Sequence, residues 1–280
     1  RPTYEERRQR TAALYERIAN ADEAELDGPS RHALICKHRY ENGRHPHICP
    51  RCFTYRPVCV CDVCSPPWPL PAGLEVVVLM HHDEWGLSSN TGKLAELTMA
   101  PARILMKGLP SHDAELAALI EDESVETCVL WPSAAERADW PSEGGGGDRT
   151  GGEGRDHVTL EAVQAMQARG RRVAIVAVDA SWRNARRMVR KLPPSRVRRL
   201  SLNADVLYGD GGPRPSLLAP LRAYNGAMRT ELGGSEGSCV CTIEAVVAAV
   251  SALGHDAEGC EHALAVARRK VAVVSRYRGK

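Results

Sequence analysis

The stretch CPRCFTYRPVCVC sets Cys49 and Cys52 as one Cys-x-x-Cys pair and Cys59 and Cys61 as a Cys-x-Cys pair, with six residues between them. Each short pair can chelate a metal ion, and the intervening loop is long enough to fold back. The set therefore predicts a tetrahedral Zn²⁺ site. Four sulfurs leave no coordination position for water, so such a site is structural rather than catalytic. Cys36, Cys64, His45 and His47 are further donors nearby, and the identity of the fourth ligand stays open between them and the four cysteines.

A second group surrounds Asp179, in VDASWRNARRM, which follows the apolar run RRVAIVA. An acid at a strand end is either the cap of the next helix or a base held for proton transfer. After it, Trp182, Ala185, Val189 and Leu192 recur at helical spacing and predict a buried face, with stacking on a nucleobase the alternative for Trp182. Arg183, Arg186, Arg187, Arg190 and Lys191 take the other face. No Asp or Glu occurs from Ala180 to Ala204, and a stripe of that kind suits a phosphate backbone more than a merely solvated face. Three further stretches hold polar residues where strands should end. In HHDEWGLSSNTGKL, His82 and Glu84 could pair as a general base, and Asn90, Thr91 and Gly92 form either an anion-binding helix start or an ordinary cap. LWPSA places Leu130, Pro132 and Ser133 beyond a strand, where open α/β sheets bind ligands. In CTIEAV, Thr242 caps an apolar helix with Glu244 in its first turn.

The elements that must position these groups follow from the hydrophobic pattern. Five short apolar runs read as strands: Leu74 to Met80, Ala102 to Met106, Thr127 to Leu130, Arg172 to Val178 and Val197 to Leu202. Helices are expected near Thr91 to Met99, His112 to Ile120, Thr159 to Arg169 and Ser181 to Leu192, with two or three more after Ser216. This alternation predicts an α/β fold with a mainly parallel sheet flanked by helices. Before it come an N-terminal helical extension (1–30) and a Cys-rich zinc-binding segment (31–71), and the α/β domain takes 72–280. A glycine-rich stretch near 141–157 reads as a flexible surface insertion; no Gly-Lys-Ser/Thr follows, which excludes a phosphate loop.

In order, CPRC…CVC, E…SSNTGKL, LWPSA, DASWRNARRM and CTIEAV resemble the motifs of the DTW-domain family, the tRNA-uridine aminocarboxypropyltransferases, from Cys49 to Leu253. Asp179, Ser181 and Trp182 occupy the Asp-x-Thr-Trp motif, and Ser181 keeps the hydroxyl of threonine without its methyl. The resemblance implies a fold related to the SPOUT RNA-modifying enzymes, with a C-terminal knot. It implies S-adenosyl-L-methionine as donor of a 3-amino-3-carboxypropyl group to N3 of a uridine in tRNA. The cofactor cradle would be the loops holding Leu130, Pro132 and Ser133, then Ser181 and Trp182, then Thr242 and Glu244. Asn90, Thr91 and Gly92 would join it, the helix starts at Asn90 and Thr242 holding the cofactor carboxylate. Asp179 would be the base, Cys49, Cys52, Cys59 and Cys61 the Zn²⁺ ligands, and Arg183, Arg186, Arg187, Arg190 and Lys191 the tRNA contacts. The zinc knuckle and the N-terminal helix would be secondary contacts.

Two rival readings fit the same residues: a SPOUT-type RNA methyltransferase using the same cofactor, and a zinc-containing RNA-binding module without catalysis. Composition excludes little else. The net charge is +2 with 26% charged residues, so affinity for nucleic acid has to come from clustering. The apolar runs are too short to span a bilayer, and no obligate protein partner is evident. A cytoplasmic or nuclear protein is expected. An organellar one stays open because the sequence starts at Arg1 without methionine.

Overall fold

The structure, a computed structural model, describes residues 3–21, 26–132, 157–208, 215–222 and 240–279. It opens with two helices, α1 (Tyr4–Asn20) and α2 (Gly28–Asn42). The second begins with Asp27 accepting from Ser30 N at 2.8 Å, carries Pro29 in its first turn and stops at Gly43, whose φ is 63°. The residues from Arg31 onward that read as the start of a Cys/His/Pro segment are therefore helical as far as Asn42. Asp cap, Pro and terminal Gly are ordinary helix punctuation.

After the cysteine knuckle the chain alternates strands and helices. They run β1 (Trp68–Pro69), β2 (Leu74–Met80), α3 (Lys93–Thr98), β3 (Met99–Ala100), β4 (Ala102–Met106), α4 (Pro110–Glu121) and β5 (Val125–Leu130). Then come β6 (His157–Val158), α5 (Leu160–Ala168), β7 (Arg172–Asp179), α6 (Trp182–Arg190) and β8 (Val197–Leu200). Among the described residues α7 (Ala204–Tyr208), α8 (Ala219–Arg222), α9 (Thr242–Ala252) and α10 (Ala257–Tyr277) follow. Six strands form one sheet in the order β4-β2-β7-β5-β8-β6, and every neighbouring pair is parallel. The fold is mixed α/β, with a parallel sheet flanked by helices. Each of the five runs read as strands contains a strand. The last stops at Leu200 because Ser201 turns its hydroxyl to the Trp131 carbonyl at 2.9 Å. The two-residue strands β1, β3 and β6 are too short to leave a period in the sequence.

Strand alternation supplies two cores. Val76, Val78, Ile175 and Ala177 face α3, α9 and α10, while Val77, Leu79, Ala174 and Val176 face Leu116 of α4 and Ala185, Met188 and Val189 of α6. The buried acid on β2, Glu75, pairs with Arg103 and Arg172 from the strands on either side. Because both faces are covered, the strands are apolar throughout rather than alternating.

This arrangement decides where a ligand can sit. From β2 the chain moves outward to β4, then crosses to β5, and β7 fills the gap between. The carboxyl ends of β2 and β7 thus lie at the point where the winding reverses, where open sheets leave a crevice. The glycine-rich stretch near 141–157 lies, except for His157, outside the described residues. Among the described residues no helix is long and apolar enough to cross a membrane.

Candidate active site

Asp179 is the last residue of β7 and is only 7% exposed. Its carboxylate collects donors from two other segments: Asn90 Nδ2 gives to Oδ2 at 2.6 Å and Thr242 Oγ1 to Oδ1 at 3.0 Å. The Gly92 backbone also bonds to it. A Cβ on Gly92 would stand 2.1 Å from Oδ2, so this position excludes every side chain. Three stretches far apart in sequence thereby meet on one carboxyl group. Burial raises its pKa, only partly offset by the bonds from Asn90, Thr242 and Gly92 and by the charge of Lys270.

A second acid lies beside it. Glu84, on the loop after β2, is pushed up to about 7 by burial and by the Asp179 charge, with Arg44 and a hydrogen bond to Asn90 opposing. The sequence paired Glu84 with His82; the structure instead joins it to Asp179 through the Asn90 amide. Two close carboxyls that share a bridging amide cannot both ionise cheaply, so the pair retains a proton near neutrality. The two histidines before Glu84 are partly buried, which holds His81 below the ordinary value and brings His82 to about 4. Both are neutral at pH 7. Asn184 on α6 reaches His81 Nδ1 at 3.5 Å, and His32 on α2 lies edge-on to His82 with ring centroids 5.2 Å apart.

The other expected site residues divide into two groups. Ser181 caps α6, accepting from Asn184 N at 3.4 Å, and Trp182 is half-buried with its ring 6.3 Å from that of Trp131. The loop carrying Leu130 and Pro132 is thus beside the Asp179 loop, while Ser133 lies outside the described residues. Asn90 and Thr242 spend their side-chain donors on Asp179, and Asn90 Oδ1 accepts from Lys93 N at 3.0 Å. These are not free caps awaiting a cofactor carboxylate. Thr91 is buried and bonds to the Cys241 thiol. Glu244 closes a capping box on Cys241 N at 2.7 Å and binds Ser216 Oγ at 2.6 Å, fastening the 216–218 loop to the base of α9.

The arginine run also divides. Arg183, Arg187, Arg190 and Lys191 are exposed on α6 and Arg186 is half-buried. Arg196 and Arg198 instead meet Glu123 and Glu126 at 3.3 and 2.6 Å. A stretch without acids in sequence thus finds them in space at Arg196 and Arg198, while Arg183, Arg187, Arg190 and Lys191 stand exposed.

The four knuckle sulfurs, of Cys49, Cys52, Cys59 and Cys61, all lie within 4.8 Å of one another. Cys49 and Cys61 are 3.6 Å apart and Cys52 and Cys59 3.5 Å. Tetrahedral Zn–S bonds of about 2.3 Å require sulfurs about 3.8 Å apart, so the set fits Zn²⁺. Phe53 adopts a φ of 60°, a left-handed turn that lets its N–H reach the Cys49 carbonyl at 2.9 Å and curl the chain around the sulfurs. Burial raises the Cys52 thiol, but bonds from Thr54, the Val60 backbone and Cys59 outweigh it and bring it down to about 6. That favours the thiolate a metal needs. Cys64 donates to the Val60 carbonyl and Cys36 to that of Lys107, and the His45 and His47 rings contact each other, so the spare donors stand outside the group.

One residue gave no signal as a site component. Lys270, 1% exposed on α10, donates to the Cys52 carbonyl at 2.7 Å, and its charge acts on Asp179. The available clue was a lysine on the apolar stripe Ala263, Val266, Ala267, Val271 and Val274.

Compared with known proteins, the chain matches the family model described as the DTW domain over residues 46–272. No curated protein and no solved structure matches it.

Proposed function

Because the chain belongs to the DTW-domain family, we propose that it is a tRNA-modifying transferase that moves the 3-amino-3-carboxypropyl group of S-adenosyl-L-methionine to N3 of a uridine. The observation that carries this reading is the convergence on Asp179: Asn90, Gly92 and Thr242 come from two other family-like motifs and all bind its carboxylate. A capping role alone would not require donors on both oxygens of a buried acid, since here Ser181 is the helix cap.

In this reading Asp179 takes the N3 proton as the nitrogen attacks, and its raised pKa makes it a better match to that weak acid than an ordinary carboxylate. When bound, the donor supplies a carbon activated by the adjoining sulfonium, and methylthioadenosine leaves as the new N–C bond forms. Asn90, Gly92 and Thr242 fix the base, and Thr91 and Glu244 fix the loops behind it. Leu130, Pro132, Ser133, Ser181 and Trp182 wall the cradle. The Asp179–Glu84 pair, which keeps one proton near neutrality, leaves one negative charge beside the strand ends, which a sulfonium cation favours. Arg183, Arg186, Arg187, Arg190 and Lys191 hold tRNA phosphates, and Zn²⁺ on the four cysteines keeps the knuckle folded.

Incubation with tRNA and the donor, followed by mass spectrometry of the nucleosides, tests the reading. Aminocarboxypropyluridine is the expected product. Methyluridine would establish the methyltransferase alternative, and unmodified tRNA that is nonetheless bound would establish the binding module.

A further inference from the structure

Helices α1 and α2 precede the residues that match the family. With the turn after α2 they enclose a cavity of about 390 Å³ whose wall carries Arg8, His38, Arg39, Arg44 and Tyr15 and no Asp or Glu. Arg39 Nε is buried there without a hydrogen-bond partner. Among the described residues the side chains of Arg8 and Arg39 make no ion pair or hydrogen bond. Arg39 is partly buried, with its Nε cut off from water and without a partner, while Arg8 stands exposed at the same wall. An unpaired guanidinium nitrogen held away from water is costly, and the ligand that relieves the cost is an anion able to take several N–H donors. Arg39 also opposes the protonation of Arg44, which burial disfavours and Asp83 and Glu84 favour, so the two cations are close and the Arg44 charge is met by acids of the neighbouring loop.

The cavity adjoins the candidate active site. Arg44 Nη2 donates to the Asp83 carbonyl at 2.6 Å, on the loop that carries Glu84. His32 of α2 meets His82 of that loop, and His81 meets Asn184 of α6. These contacts tie both α2 and α6 to the loop beside Asp179, so the arginines of α1–α2 and those of α6 sit on helices joined through one loop. An extended polyanion crossing the loop meets both groups. A free anion meets only one. Tyr15, half-exposed at the rim, offers a ring on which a base can stack.

From this geometry we infer that the α1–α2 cavity seats a backbone phosphate of the RNA substrate, a second anchor opposite the α6 stripe; the inference rests on the RNA reading above. Bidentate guanidinium–phosphate bonding is the chemistry it supplies.

The test uses the full chain with Arg8→Ala and Arg39→Gln, singly and combined, and with Arg39→Lys as the charge-preserving control. Equilibrium binding to tRNA is measured across a salt series. The double variant should bind several-fold more weakly and show a log–log salt slope shallower by about 1, with donor affinity and turnover at saturating tRNA unchanged. Arg39→Lys should keep the wild-type salt slope but recover only part of the affinity, since an ammonium cannot bond a phosphate bidentately, and matched melting curves exclude a folding defect. Unchanged affinity and slope in the double variant would overturn the inference. So would a melting shift with inorganic phosphate that the double variant loses while tRNA binding stays intact, which assigns the cavity to small anions. Binding is read apart from chemistry, so a wild-type protein that binds tRNA but makes no aminocarboxypropyluridine defeats the functional reading and leaves this result standing.

Discussion

A carboxylate on a strand end is common, but Asp179 has a donor on each oxygen and a second acid next to it, which gives its removal a defined consequence. Asp179→Asn preserves shape and should cost about 10²- to 10⁴-fold in turnover while donor and tRNA affinities hold. Turnover within a few-fold of wild type would reduce the residue to a structural acid. Gly92→Ala forces a methyl against Oδ2 and should lower activity comparably. Glu84 carries the pH dependence. Its pKa is about 7 in the folded protein against an ordinary 4.5, so folding is coupled to proton uptake and stability falls as pH rises through this window. Asp179, Asp83 and Arg44 are the charges that face it. Glu84→Gln should therefore stabilise the protein by roughly 1–3 kcal/mol at pH 8, and the gain in melting temperature should vanish toward pH 4.5. A gain independent of pH would show that Glu84 is not buried as a strained acid. At this scale the sequence made Asp179 visible because strand, acid and basic helix are contiguous. The contact of Glu84 with Asn90 left no signal there, because it depends on how the loop folds back.

Elements were legible in proportion to their length and period. The apolar runs of β2, β4, β5, β7 and β8 announced strands, whereas α2 was obscured by its cysteine, histidines and charges although its cap, proline and glycine were all present. The arginine run shows the limit of reading charge along a chain. Cations on β8 lie beside the acids of β5 and the residues just before it, whereas α6 has one face packed on β7 and the other in solvent. Within this run the nucleic-acid prediction therefore belongs to α6. Replacing Arg183, Arg187 and Arg190 by Ala should weaken tRNA binding and reduce the salt slope by about 2–3, since each phosphate contact contributes about 0.9. The same replacement of Arg196 and Arg198 should leave the slope unchanged and instead lower stability modestly through the lost pairs with Glu123 and Glu126. A slope that moves with β8 rather than α6 would reverse the assignment.

At the scale of the molecule the cysteine knuckle and the sheet are tied by α10. Lys270 holds the Cys52 carbonyl, Arg278 donates to Ser88 Oγ at 2.6 Å, and Tyr277 stacks on Tyr55 with ring centroids 4.4 Å apart. Removing the metal with a chelator should thus reach beyond the knuckle. A melting temperature lower by about 10 °C or more is expected, with increased hydrogen exchange along α10. Exchange confined to residues 48–64 would show that the two are not coupled. Lys270 and Cys52 are 218 residues apart in the chain, and at a translation rate of roughly 5–20 residues per second they are made on the order of ten to forty seconds apart. During that interval the nascent knuckle has no lysine on its carbonyl and no aromatic partner for Tyr55. Its completion waits for α10 to leave the ribosome, and until then this cysteine-rich segment depends on metal supply and on whatever shields it from oxidants.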